Sequence, residues 1–224
     1  MRTYLSVKAL RLPLSFIGLA LAAALPTRAL GQEEILATQD SFIRSGRFAD
    51  ENFNAAWLAL AGRTKDHNRK VYLQFELPQD ADKATRAALR LTPKTTIEDD
   101  GEPSSAPALT FRIFASADNA VTPWGETEIT WNNAPGNTAA DPTRADSPWI
   151  EVGRAEVNLP LPSEEHPIEI PLPTLPSLLK KDSGRTLTVI LVPDQESKTT
   201  PGVIFFSKEG TGKNEKRPAL ILSH

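Results

Sequence analysis

From residue 32 onward, short runs of alternating apolar and polar residues are cut by turn-forming residues. The longest alternation covers 69–77. Val71, Leu73, Phe75 and Leu77 take one side and Lys70, Tyr72, Gln74 and Glu76 the other, the two-residue period of a strand. In 87–92 the same period puts Leu89 and Leu91 inward and Arg90 outward. In 109–115, Leu109, Phe111 and Ile113 share one face, and Thr110, Arg112 and Phe114 the other. Further runs lie at 35–44, 57–61, 128–131, 149–159, 168–172, 186–192, 203–207 and 218–222. These predict about ten short strands and no alternation with long helices. The expected fold is all-β, a single-domain antiparallel β-sandwich or jelly roll. Helix is expected only near 80–88 and 175–181, and 95–108, with its acidic centre, reads as a solvated loop.

Composition adds exclusions. The 224 residues include 19 Pro, 12 Gly, 3 His and no Cys. Without Cys there is no disulfide framework, thiolate zinc site or thiol nucleophile. So many prolines disfavour a helical bundle.

The N-terminus has its own pattern. Arg2, Lys8 and Arg11 precede an apolar run at 12–25, followed by Pro26 and the small residues Ala29 and Gly31. That order predicts a secretory signal peptide over 1–31, with cleavage before Gln32 and a mature domain of 32–224. The run is too short, and Pro13 too disruptive, for a membrane span. Cleavage would leave 21 Lys and Arg against 28 Asp and Glu, a net charge of −7. That balance argues against nucleic-acid partners, whose binding rests on phosphate neutralisation. The product is expected to be secreted, with the periplasm as the alternative, and not inserted in a membrane.

Catalytic signatures are scarce. No G-x-S-x-G elbow is present, and Gly210-Thr211-Gly212-Lys213 sits between strands, as a hairpin connection rather than a phosphate loop. Asp40, Asp50, Glu51, Asn52, Asp66, Asn68 and Glu98-Asp99-Asp100 offer hard oxygens, but none at the spacing of a calcium loop. No cofactor is expected, and a structural calcium ion stays open. Tyr72, with His67 upstream, leaves a polyuronate lyase as an enzymatic alternative.

Two segments carry a specific likeness: Asn68-Arg69-Lys70-Val71-Tyr72-Leu73-Gln74-Phe75-Glu76-Leu77, and Trp124-Gly125-Glu126-Thr127-Glu128-Ile129-Thr130-Trp131-Asn132-Asn133-Ala134-Pro135. They resemble the DNRLRE domain, also classed as carbohydrate-binding module family 96. Residues 38–44, 50–54, 87–91, 205–209 and 217–220 resemble its other elements, in the family's order. Lys208 stands where the family often has Arg, and Glu169-Ile170-Pro171 lacks the family's Thr. The resemblance implies a secreted, non-catalytic jelly-roll module that binds alginate-like polyuronate, here without a catalytic domain beside it. Cell-surface or matrix proteins are the alternative partners, in a structural or adhesive role.

An acidic protein that binds an acidic polymer needs a local basic surface. Lys70, Arg90 and Arg112 all alternate away from the apolar side, as does Tyr72. If their strands are neighbours, they form a cationic face that reads sugar carboxylates, extended at its edge by Arg69, Arg44 and Lys208. The plainer alternative is an ordinary solvated strand face. Trp131 is expected in the core, and Asn132 and Asn133 in a local turn.

Overall fold

The computed structural model describes residues 31–63, 67–97, 107–117, 123–138, 140–181, 185–196, 201–210 and 212–224. Residues 1–30 of the proposed signal peptide, Asp66, Glu98-Asp99-Asp100 and Thr211 lie outside these residues. Gly31–His224 forms one unit, nearly all antiparallel β. Its strands are β1 (Gln32–Leu36), β2 (Gln39–Arg44), β3 (Trp57–Gly62), β4 (Asn68–Glu76), β5 (Arg86–Leu91), β6 (Pro93–Ile97), β7 (Ala108–Ser116), β8 (Ile150–Asn158), β9 (Ile168–Pro171), β10 (Thr186–Pro193), β11 (Gly202–Phe206) and β12 (Ala219–Ser223). One helical turn, α1 (Leu175–Leu179), follows β9.

Two sheets face each other. The smaller runs β1-β12-β5-β9, and the larger runs β6-β11-β3-β4-β10-β7-β8, with β2 also paired to β4. Register explains the core. Leu73 lies opposite Val189, and Val71 opposite Leu191, across β4 and β10. Leu220 lies opposite Leu89, and Leu89 opposite Ile170, across the smaller sheet. These residues, with Phe75, Phe111, Ile113 and Phe205, form the dry layer between the sheets.

A third layer departs from the expected pattern. Residues 123–138 and 140–149 cross the outer face of the larger sheet. The run at 128–131, expected as a strand, is instead a chain of turns within this overlay. Ile129, Trp131, Ala134 and Trp149 of the overlay pack on Ile43, Tyr72, Phe114, Ile190 and Val192 of the sheet as a second buried cluster. Asn133 organises the turns: its Oδ1 accepts from the Thr130 N–H at 2.6 Å and its Nδ2 donates to the Glu128 carbonyl at 2.9 Å. β4 is therefore buried on both faces along most of its length. Strand also replaces part of the expected 95–108 loop, because β6 extends to Ile97 against β11. At 80–88 only a single tight turn precedes β5.

Candidate functional site

The overlay changes the meaning of the outward residues of β4. Lys70 is 1% exposed. Its Nζ donates to Asn137 Oδ1 at 2.8 Å and to the Arg144 carbonyl at 2.7 Å, and lies 5.2 Å from the Trp131 ring centre. Burial pushes its pKa down to about 7, against the opposing pull of Asp141 and Asp146. Tyr72 is fully buried, and its hydroxyl donates to the Pro135 carbonyl at 3.1 Å. Burial pushes that phenol far above its ordinary pKa. A phenol so enclosed cannot take a proton from a polymer, which removes the basis for a lyase built on Tyr72.

The expected cationic face is not assembled. Lys70 and Arg112 do share the outer face of the larger sheet, but under the overlay. Arg112 pairs with Asp194 at 3.2 Å and Glu151 at 3.7 Å, and donates to the Thr143 carbonyl. Arg90 belongs to the other sheet, where it pairs with Glu34 at 2.6 Å. Lys208 pairs with Glu126 at 2.8 Å and with Glu209. The error lies in adjacency: the two-residue period gives the side of each strand, not which strands are neighbours or what covers them.

Arg44 and Arg69 are brought together elsewhere. They are opposite one another in the β2–β4 register. Arg44 Nη2 donates to His67 Nδ1 at 3.2 Å, and its guanidinium carbon lies 3.7 Å from the Phe48 ring centre. Arg47, an exposed residue, lies over the same ring at 4.7 Å. Phe48 opens a run of four rings: Phe48 meets Phe53 edge-on at 6.4 Å, Phe53 stacks on Phe42 at 4.8 Å, and Phe42 stacks on Trp57 at 5.1 Å. Trp57, at the end of this run, is 37% exposed.

The strand β2, the turn after it and the start of β3 each supply rings to this run. Phe42 points from β2 into the core and anchors the run. Phe48 sits in a tight turn at Gly46–Phe48, directly after β2. The loop is then tied to the overlay: Asn52 Nδ2 donates to the Glu126 and Ile129 carbonyls at 3.0 and 2.8 Å, and Asn132 Nδ2 donates to Asp50 Oδ1 at 2.7 Å. A ring run ending in an exposed indole, flanked by guanidinium groups, can stack on the apolar face of a sugar and pair with an acidic substituent.

Arg47, Phe48, Phe53 and Trp57 were not legible as a site in the sequence. The available signal was two Phe within the polar stretch 46–56, where no strand period demands them, followed at once by the Trp that opens the run at 57–61. By contrast, a groove of about 510 Å³ on the smaller sheet is lined by Arg86, Glu169, Pro171, Pro173 and Ile221 among others, with no aromatic ring in its lining.

The comparisons agree with this architecture. No curated protein matches the chain. The family model described as carbohydrate-binding module family 96 matches residues 32–152. That span includes β1 to β7, the aromatic–arginine cluster and the whole overlay. The chain therefore belongs to carbohydrate-binding module family 96, whose role is to bind carbohydrate.

Proposed function

We propose that the protein is an exported, non-catalytic module that binds acidic polysaccharide of the alginate-like polyuronate class. The binding surface is the Arg44, Arg47, Phe48, Phe53 and Trp57 cluster, with Arg69 behind it. The observation that carries this reading is the pair of guanidinium groups over Phe48, at one end of a ring run whose other end, Trp57, is open to solvent. A guanidinium carries a planar fork of N–H donors that fits a carboxylate, and each uronate residue offers one. The ring run supplies the uncharged part of the contact, which a neutral glucan could also use, so charge decides the preference. Secretion rests on the leader-like pattern of 1–31. Among the described residues no helix is long and apolar enough to cross a membrane.

Affinity electrophoresis of the wild-type chain in gels cast with alginate, pectin or a neutral glucan tests the reading. Retardation is expected on the two acidic polymers, fading as salt is raised. Arg47→Glu is expected to weaken alginate retardation by roughly tenfold, and Trp57→Ala to weaken it similarly. Arg47 is exposed, so its variant is expected to melt with the wild type. No retardation on any acidic polymer, or unchanged retardation of both variants, would overturn the proposal and favour protein partners.

A further inference from the structure

We propose that Asp40, Glu126 and Glu209 form a calcium site, in which the Lys208 ammonium stands in for the metal when calcium is absent. Each of the three residues brings a carboxylate oxygen to within 4.8 Å of the other two. They come from distant parts of the chain: Asp40 from β2, Glu126 from the overlay and Glu209 from the turn after β11. Lys208 Nζ pairs with Glu126 Oε1 at 2.8 Å and with Glu209. One ammonium facing three carboxylates leaves the group short of two positive charges.

A second observation points to a ligand. Asp40 is 0% exposed, and its Oδ2 accepts the Lys208 backbone N–H at 2.7 Å. Its Oδ1 is buried and has no hydrogen-bond partner among the described residues. A buried carboxylate oxygen without a partner carries the full cost of its lost hydration. A divalent ion relieves both problems at once, since it supplies the missing charge and coordinates the orphaned oxygen.

The donor set favours calcium. Three carboxylates, each able to bind through one or two oxygens, suit the six to eight oxygens calcium takes, whereas magnesium holds its waters and demands a stricter octahedron. Bound there, the ion would tie the overlay and the turn after β11 to β2. Gly210, next to Glu209, packs against the Ala56 carbonyl, so the site adjoins Trp57.

The test uses the full chain, stripped with chelator and titrated with calcium at pH 7.5, followed by calorimetry and thermal melting. A saturable heat and a rise in Tm of several degrees are expected. Asp40→Asn and Glu126→Gln are expected to weaken binding at least tenfold. Lys208→Met removes the competing ammonium and is expected to tighten it by about tenfold. Magnesium is expected to bind at least tenfold more weakly. Absence of both heat and Tm shift in the wild type overturns the proposal. So does an unchanged response in Asp40→Asn and Glu126→Gln, which would place the calcium elsewhere. Because Arg47→Glu lies outside the triad, its calcium response should match the wild type even where its glycan binding is lost.

Discussion

Replacing Gly136 with Ala is expected to lower Tm by about 10 °C or more. Two independent costs converge at this position. Its φ is +69°, the left-handed region in which a Cβ costs roughly 1–2 kcal/mol. A Cβ there would also lie inside the Trp149 indole. Trp149 cannot yield freely, because it is 7% exposed and packed into the cluster between overlay and sheet. To admit the methyl group the overlay must lift, which unpacks Trp131 and uncovers Tyr72, Phe114 and Ile190. Partial loss of that cluster adds about 2–3 kcal/mol, and roughly 4 kcal/mol moves a domain of this size by the stated amount. Differential scanning calorimetry measures the shift, and dye binding reports the uncovered apolar face. A Gly136→Ala variant melting within two degrees of the wild type would show that the overlay is not held at this point.

The overlay also explains which parts of the molecule were legible in the sequence. The sandwich was, because a strand's period follows from its own residues. Val71, Leu73 and Phe75 belong to the inner layer wherever β4 lies in the sheet. The neighbours of β4 were not legible, since they arrive from residues 39–44 and 186–191. Arg90 shows the consequence: its outward parity was right, but its strand belongs to the opposite sheet from Lys70. The cover on Lys70 and Tyr72 comes from residues more than 50 positions away in sequence, and periodicity carries no information about such contacts. The turn at Asn133 was legible because its role is local: Asn133 bonds to Thr130 and Glu128 within its own turn, whereas Asn132 instead reaches Asp50, far away in sequence. The aromatic–arginine cluster is the opposite case. Its rings meet only because β2, the turn after it and the start of β3 converge at one end of the sandwich.

The buried ammonium at Lys70 leads to an unusual pH dependence of stability. In the unfolded chain a lysine titrates near 10.4, whereas here burial, as the leading cause, holds the group at about 7. Asp141 and Asp146 offset part of that burial, and Arg112 adds to it. Below pH 7 the side chain is charged in both states, and the folded state bears the full cost of burying the charge. Between pH 7 and 10 the folded protein releases the proton while the unfolded chain retains it, so stability rises with pH across that window. Above the unfolded value both forms are neutral and the contribution is complete. Lys70 is 1% exposed, so little solvent screening applies, and the whole span is worth about 5 kcal/mol. Urea unfolding of wild type and Lys70→Met at pH 6.5, 8 and 9.5 isolates this contribution, because Asp40 and every other titrating group is common to both proteins. The stability of the wild type relative to Lys70→Met is expected to improve by about 3 kcal/mol from pH 6.5 to 9.5. Replacing Lys70 also leaves Asn137 Oδ1 and the Arg144 carbonyl without their donor, a penalty that shifts the difference equally at every pH and leaves its slope intact. A difference that stays flat across the three pH values would mean that Lys70 keeps its proton inside the fold, held there by Asp141 and Asp146.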